Sequence, residues 1–246
     1  MSHADRCQRA IHYRLTDVPA QPSPTSIVSE LIFNHGNTSH DWWQQNWWGM
    51  GILRGLFFCT ACEMQWEDIS PMECPRCGRP RLFLTYKEVP FRSREYNMVG
   101  RADADLTTDG LIEIKTIGVG SIRWEAPHLT EKYGTDWDML WRNIKHPFPS
   151  HRKQGMLYCH FLGREQITFI YDPKFVSMAP KEFVVQYNAS IIEEILEECL
   201  LINRDIALGR VPKRPDWAEK SHRTCARCPY RKTCWEKRSE KDKVVS

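Results

Sequence analysis

Gly100-Arg-Ala-Asp103-Ala-Asp105-Leu106, Thr107-Thr-Asp-Gly110 and Leu111-Ile-Glu113-Ile-Lys115-Thr116 run on from one another, and the reading of this stretch decides the fold. Side chains alternate faces along a strand, so Glu113 and Lys115 share one face while Ile112 and Ile114 point into the core. The preceding segment alternates too, with Ala102, Ala104 and Leu106 apolar and Arg101, Asp103 and Asp105 polar. The two polar rows coincide only if odd residues pair with odd, for example Thr107 with Leu111 and Asp103 with Lys115. That register needs a three-residue loop, Thr108-Asp109-Gly110, with Gly110 in the left-handed position of a type I turn plus bulge. A two-residue Asp-Gly turn would put Asp103 on the wrong face.

Carboxylates gathered on one face are costly unless a cation neutralises them, and hard oxygen ligands suit Mg²⁺ or Mn²⁺. Such an ion can polarise a phosphodiester and deprotonate a water, with Lys115 beside it to orient that water or stabilise developing charge. An ordinary exposed hairpin would fit Glu-Ile-Lys equally well if the triplet stood alone. The register admits Asp105 as well as Asp103.

Outward from the hairpin, Cys7 to Tyr13 is a short segment, Pro19 to Pro24 a proline-rich connector, and Ile27 to Trp48 mainly helical. Leu82 to Phe91 reads as a strand, Gly118 to Ser150 as irregular. Helix resumes near His151, Gln166 to Tyr171 is a strand, and Gln186 to Leu208 has the apolar spacing of a long helix. The tryptophans at 42, 43, 47 and 48 are read as core, with stacking on unpaired bases as the alternative. His128, His146, His151 and His160 lack the spacing of a second metal site.

The 246 residues, 41% hydrophobic and 26% charged, have the balance of a globular protein able to bury a core unaided. No apolar run reaches the roughly 18 residues of a membrane span, and Met1 to Arg6 lacks the apolar core of a signal peptide, so an intracellular protein is expected. A net charge of +3, from 34 basic and 31 acidic residues, says little about partners. The basic residues Lys213, Arg214, Arg223, Arg227, Arg231, Lys232, Lys237 and Arg238 crowd the C-terminal end, as a solvated tail or a phosphate-facing patch.

Ten cysteines in a reducing compartment are better explained by metal than by disulfides. Cys59-Thr-Ala-Cys62 and Cys74-Pro-Arg-Cys77 are two knuckles suited to tetrahedral zinc, in a closed site that stabilises a loop. Cys225-Ala-Arg-Cys228 and Cys234 supply three thiolates, one short of a four-ligand site. Cys7 is the leading fourth, because Cys159 and Cys199 sit among apolar residues of expected helices. It would tie the two ends of the chain together. Spacing leaves iron–sulfur and zinc both open here.

An ordered set of short motifs resembles the RecB-like PD-(D/E)xK nuclease family, above all the CRISPR-associated exonucleases and AddB-type nuclease domains with an iron–sulfur cluster. The set comprises Cys7-Gln-Arg9 through Tyr13, Gly36-Asn-Thr-Ser-His40, Gly100 to Asp103, Glu113 to Lys115, Gln154-Gly-Met-Leu-Tyr158, and the three C-terminal cysteines. The resemblance implies that His40, Asp103 and Glu113 ligate Mg²⁺ or Mn²⁺, with the carbonyl of Ile114 as a further ligand. It makes Lys115 the catalytic lysine, sets Gln154 and Tyr158 against substrate, and assigns Cys7, Cys225, Cys228 and Cys234 to a 4Fe–4S cluster. Only the family's GxxD spacing prefers Asp103 over Asp105.

The expected architecture is an α/β restriction-endonuclease-like core with a mixed sheet flanked by helices. One nuclease domain would span 1–246, with a zinc-knuckle insertion at 58–80 and a C-terminal cysteine element at 213–246 closing onto Cys7. The implied activity is exonucleolytic hydrolysis of DNA on single-stranded ends, in recombination, repair or CRISPR-type end processing, with DNA and other DNA-processing proteins as partners. The zinc insertion and the long stretch from Ile117 to Ser150 depart from the family pattern. A non-cleaving DNA-binding or integration scaffold is the competing reading, and a zinc-ribbon adaptor a third.

Overall fold

The computed structural model describes residues 7–22, 26–174 and 178–236. Met1 to Arg6, Pro24 at the end of the connector, and Lys237 and Arg238 of the basic end lie outside the described residues.

The hairpin at the heart of the sequence is built into the middle of a mixed sheet. Its strands are β6 (Ala104–Leu106) and β7 (Gly110–Ile117), and the sheet order is β2-β1-β6-β7-β8-β9. The other members are β1 (Leu53–Cys59), β2 (Gln65–Ile69), β8 (Gln166–Pro173) and β9 (Lys181–Gln186), with β3 (Leu84–Lys87) also paired to β1. β7 and β8 are parallel; the remaining pairs of this sheet are antiparallel. A separate two-stranded ladder joins β4 (Val89–Ser93) to β5 (Met98–Ala102).

The hairpin register keeps the expected parity but is offset. Leu106 pairs with Gly110 and Asp105 with Leu111, so the three-residue loop is Thr107-Thr108-Asp109 rather than Thr108-Asp109-Gly110. Gly110 does adopt a left-handed φ of 68°, yet it closes the turn as the first residue of β7. The pairs Thr107 with Leu111 and Asp103 with Lys115 do not form.

Neither hairpin face is left to solvent. Leu111 and Ile117 join a core with Phe91, Ala102, Met156, Phe169 and Tyr171, while Ile112 and Ile114 join a second core with Trp47, Trp48, Leu53, Phe57, Ala104 and Leu106. The apolar row of Ala102, Ala104 and Leu106 is therefore split between the two cores, because the chain bends at Asp103 between β5 and β6.

Two helices cover the sheet. α2 (Ile27–Gly49), capped by Ser26 accepting from the Ser29 amide, lies on the tryptophan-lined core. α6 (Pro149–Leu162), which starts on Pro149 and ends at left-handed Gly163, packs on the other. Gly155 lies so close to β8 that a Cβ there would meet the Phe169 ring at 2.4 Å. Trp47 and Trp48 are buried as expected, whereas Trp42 is 57% exposed.

The segment from Gly118 to Ser150 is not irregular. It holds α3 (Val119–Glu125), α4 (Pro127–Tyr133) and α5 (Trp137–Asn143), each of 7 residues, which carry Ile122, Leu129, Leu140 and Trp141 into the core. Two turns are too short to establish a periodicity in sequence. The expected helix from Gln186 is shorter as well: Gln186 ends β9, and α7 runs Glu193–Ala207. Leu82 to Phe91 is broken into a 3₁₀ turn, Arg81–Phe83, followed by β3 and β4.

The N-terminal α1 (Gln8–Leu15) meets α8 (Arg223–Ala226) and α9 (Arg231–Glu236) from the other end of the described chain. The Gln21 amide donates to the Pro229 carbonyl at 2.8 Å, and Tyr13 packs on Tyr230 at 5.7 Å between ring centroids. No helix among the described residues is long and apolar enough to cross a membrane.

Candidate active site

β6 is 3 residues long and β7 is 8, so the C-terminal half of β7 has no strand beside it on the β6 side. The bend at Asp103 sits at the mouth of this notch. Asp103 Oδ2 accepts the Ile114 amide at 2.6 Å, in place of a ladder hydrogen bond. A strand residue points its N–H and C=O to the same side, so the Ile114 carbonyl also faces the notch.

α2 closes one side. His40 Nδ1 lies 3.3 Å from Asp103 Oδ1, and Gln44, one turn further on, donates to the Asp103 carbonyl at 2.8 Å. Gly36 of the GxxxH motif faces β7, where a Cβ would stand in ordinary contact with Thr116 Oγ1 at 3.6 Å. Ser39 donates to Asp172 at the end of β8, 2.5 Å away. On the opposite side α6 brings Gln154 and Tyr158, four residues apart and hydrogen-bonded at 2.6 Å. Lys115 Nζ bridges Glu113 Oε1 at 2.6 Å and Gln154 Oε1 at 2.9 Å. The structure thus brings together His40, Asp103, Glu113, Ile114, Lys115, Gln154 and Tyr158.

Asp105 stands apart. It is held by Arg54 through two hydrogen bonds of 3.0 Å and by Arg164 at 2.8 Å, which takes up its carboxylate in an ion pair.

Glu88, which the sequence reading missed, joins the cluster: ligand atoms of His40, Glu88 and Asp103 all lie within 4.8 Å of one another. The ladder explains why. Val89 pairs with Ala102, so one step further the register sets Glu88 opposite Asp103. Counting back from the Ser93 to Met98 turn would have found it.

The electrostatics are those of crowded carboxylates. Glu113 is 2% exposed, its Oε2 has no hydrogen-bond partner, and burial, followed by the charge of Asp103, pushes its pKa up to about 8. Glu88 is raised by the same two causes in the same order. Burial opposes the charge on His40, but its hydrogen bond to Asp103 and the Asp103 charge win and raise it. Lys115 is likewise raised against burial, by Glu113 and then Asp103. A divalent cation fits this arrangement, because buried like charges otherwise compete for protons.

A second candidate metal group is Cys59, Cys62, Cys74 and Cys77, whose sulfurs all lie within 4.8 Å of one another. Cys59 and Cys77 are 3.7 Å apart, Cys62 and Cys74 3.5 Å. Tetrahedral bonds of about 2.3 Å would set sulfurs about 3.8 Å apart. Burial opposes ionisation of Cys74, but the amides of Cys77 and Arg76 and the neighbouring thiols outweigh it and bring its pKa to about 6.

Cys7, Cys225, Cys228 and Cys234 line one cavity of about 720 Å³. The Cys225 thiol is raised by burial and then by the neighbouring Cys7, Cys234 and Cys228. Arg214 packs over Trp235 at 4.4 Å and donates to the Cys234 carbonyl. Among the histidines read as structural, His151 hydrogen-bonds Tyr171 at 2.6 Å and His160 hydrogen-bonds Tyr187 at 2.8 Å.

No family model matches the chain, and no curated protein matches it by sequence. Among solved structures it is similar to an alkaline exonuclease (LHK-Exo) from Laribacter hongkongensis, at 19% identity and a TM-score of 0.36 over 50% of this chain. The chain spans 57% of that protein's length. It is also similar to LHK-Exo in complex with dAMP, at 13% identity and a TM-score of 0.38 over 82% of this chain and 87% of the other. A third similarity is to SSO0001, at 12% identity and a TM-score of 0.37 over 93% and 81% of the two chains. The overlap at these scores is partial, and the chemistry of the site rests on its own residues.

Proposed function

We propose that this chain is a metal-dependent nuclease of the PD-(D/E)xK type that hydrolyses phosphodiester bonds of DNA. The observation that carries this reading is the convergence of His40, Asp103, Glu113 and Lys115 on one notch of the sheet, with Glu113 Oε2 buried and unpartnered. A buried carboxylate oxygen without a partner is expensive, and a bound cation would satisfy it.

His40, Asp103, Glu113 and the Ile114 carbonyl would hold Mg²⁺ or Mn²⁺, with Glu88 beside them. When bound, such an ion polarises a phosphodiester and lowers the pKa of a coordinated water. Lys115 keeps its proton and is aimed by Glu113 and Gln154, so its ammonium can donate to a phosphate oxygen or orient the attacking water. Tyr158 fixes the Gln154 amide, which leaves the Gln154 carbonyl oxygen for Lys115.

On this reading residues 1–246 form one nuclease domain, with 58–80 as its zinc knuckle and 213–246 as the cysteine element closing onto Cys7. Cys7, Cys225, Cys228 and Cys234, which line one cavity, would hold a 4Fe–4S cluster, with zinc as the alternative. The substrate would be single-stranded DNA ends, cleaved exonucleolytically in recombination, repair or CRISPR-type end processing alongside other DNA-processing proteins.

The test is digestion of end-labelled single- and double-stranded DNA with Mn²⁺, Mg²⁺ or chelator, beside Glu113→Ala and Lys115→Ala. Metal-dependent cleavage lost in both variants is expected. Cleavage that survives both would sink the assignment, and DNA binding without cleavage by the wild-type protein would point to the scaffold reading.

A further inference from the structure

The zinc knuckle lies outside the notch, yet it grips the helix that supplies His40. Arg81, four residues past Cys77, stacks over the Trp48 ring at 4.6 Å and donates to the Gln45 carbonyl at 3.0 Å and to Gln45 Oε1 at 2.7 Å. Pro71, three residues before Cys74, accepts from Trp48 Nε1 at 2.9 Å. The knuckle binds these two grips to each other: the Arg81 amide donates to the Met72 carbonyl and the Cys74 amide to the Arg79 carbonyl, each at 2.8 Å. Cys59 and Cys74 are themselves buried in the core that holds Trp47, Trp48 and Ile114.

α2 is therefore tied by hydrogen bonds on each side of His40. On one side Ser39 is fastened to Asp172 of β8; on the other, Trp48 and Gln45 are fastened to the knuckle. Between them Gln44 supports Asp103 through its carbonyl and His40 meets the Asp103 carboxylate. A helix transmits displacement along its axis, and Gln44 and Trp48 are one turn apart. Loss of the knuckle grip removes the polar ties at the Trp48 end of α2, leaves that end held by apolar packing alone, and loosens the seating of His40 and Gln44 on Asp103.

We infer that the Cys59–Cys77 knuckle is a positioning element for the divalent-metal site, acting through Arg81 on Trp48 and Gln45. This rests on the nuclease reading above. Zinc is the part that fixes so short a loop, since four thiols without an ion have little to hold them in one place. Arg81 is a positioning residue, with no contact to substrate.

The experiment compares the wild-type chain with Arg81→Ala and, to disturb the knuckle itself, Cys77→Ser. Arg81→Met, which keeps the aliphatic stem over Trp48, replaces Arg81→Ala if the latter misfolds. Zinc content, thermal midpoint, Mn²⁺ affinity by electron paramagnetic resonance, and kcat against Mn²⁺ concentration are measured on each. Arg81→Ala is expected to retain zinc and weaken Mn²⁺ binding about 10-fold, the usual effect of losing a group that orients a ligand. Its kcat at saturating Mn²⁺ should return to within about 3-fold of wild type, whereas simple loss of folded protein would lower kcat without moving the half-saturation point. Cys77→Ser should lose zinc and shift Mn²⁺ binding at least as far. Unchanged Mn²⁺ affinity in both variants would overturn the coupling and leave the nuclease reading standing; a wild-type chain that binds no Mn²⁺ would overturn both.

Discussion

Asp103 stands opposite Glu88 across the continuation of one ladder while its carboxylate caps the Ile114 amide of another, at 2.6 Å. Through it the two-stranded hairpin and the central sheet meet at the cluster, and Glu113 is the carboxylate that this crowding penalises most.

Glu113→Gln should separate stability from activity. The substitution keeps the shape and leaves an amide oxygen to accept from Lys115 Nζ, while it removes the charge that burial and Asp103 oppose. The thermal midpoint is expected to change little, because the lost ion pair with Lys115 and the relieved repulsion with Asp103 offset one another. Metal-dependent DNA cleavage should fall by about 100-fold or more. Calorimetry with a digestion assay on the same preparation checks both; a drop of many degrees in the midpoint would contradict the electrostatic account.

Asp103 and Asp105 should part company in the laboratory as they do in the fold. Asp105→Ala leaves Arg54 and Arg164 without their shared carboxylate; their side chains are 44% and 40% exposed, so water takes up much of the loss. A destabilisation of about 1 to 2 kcal/mol is expected, below the cost of stranding a fully buried ion. Mn²⁺ affinity should survive in Asp105→Ala and be lost in Asp103→Asn, as read by isothermal titration.

Gly155→Ala is expected to destabilise the fold. A Cβ at this position would come within 2.4 Å of the Phe169 ring and 3.2 Å of Ile167, and neither has room to retreat within the core. Overpacking of this kind costs about 1 to 3 kcal/mol, or roughly 2 to 4 °C in midpoint per kcal/mol for a chain of this size. A thermal melt that matches wild type would show that α6 sits further from β8.

His151 should make the fold acid-sensitive. Burial, with a smaller contribution from Lys115, holds its pKa down to about 3 from 6.5. Between those values the unfolded chain binds a proton that the folded chain refuses, so stability falls as pH drops from 6.5 toward 3. The slope contributed is at most about 1.4 kcal/mol per pH unit. Denaturant titrations at several pH values should show this slope reduced in His151→Gln; an unchanged slope would assign the acid sensitivity to other groups.

Glu113 and Lys115 were legible in sequence because they obey strand alternation, which is local information; alternation admitted Asp105 beside Asp103, which sits at a bend between two strands, and only the GxxD resemblance preferred Asp103. The register was legible only in parity: a bulge glycine can be counted in the loop or in the strand, and Gly110 went to the strand. Glu88 was legible only by counting back through the Ser93 to Met98 turn, which looked like the break between two unrelated strands. β1 and β9 were missed for a related reason: they are recognised by what they pair with, Leu53 with Leu106 and Gln186 with Gln166. The side chains of α3, α4 and α5 took the opposite path, being placed by packing on the core rather than by their own short pattern.

The bend at Asp103 makes the cluster a joint property of two ladders. Glu88 lies between β3, paired to β1 of the central sheet, and β4, paired to β5 of the separate ladder, while Glu113 and Lys115 stand in the parallel pair at the centre of the sheet. Neither ladder alone sets these side chains together, so the acidic cluster comes into being with the folded core rather than with any one hairpin.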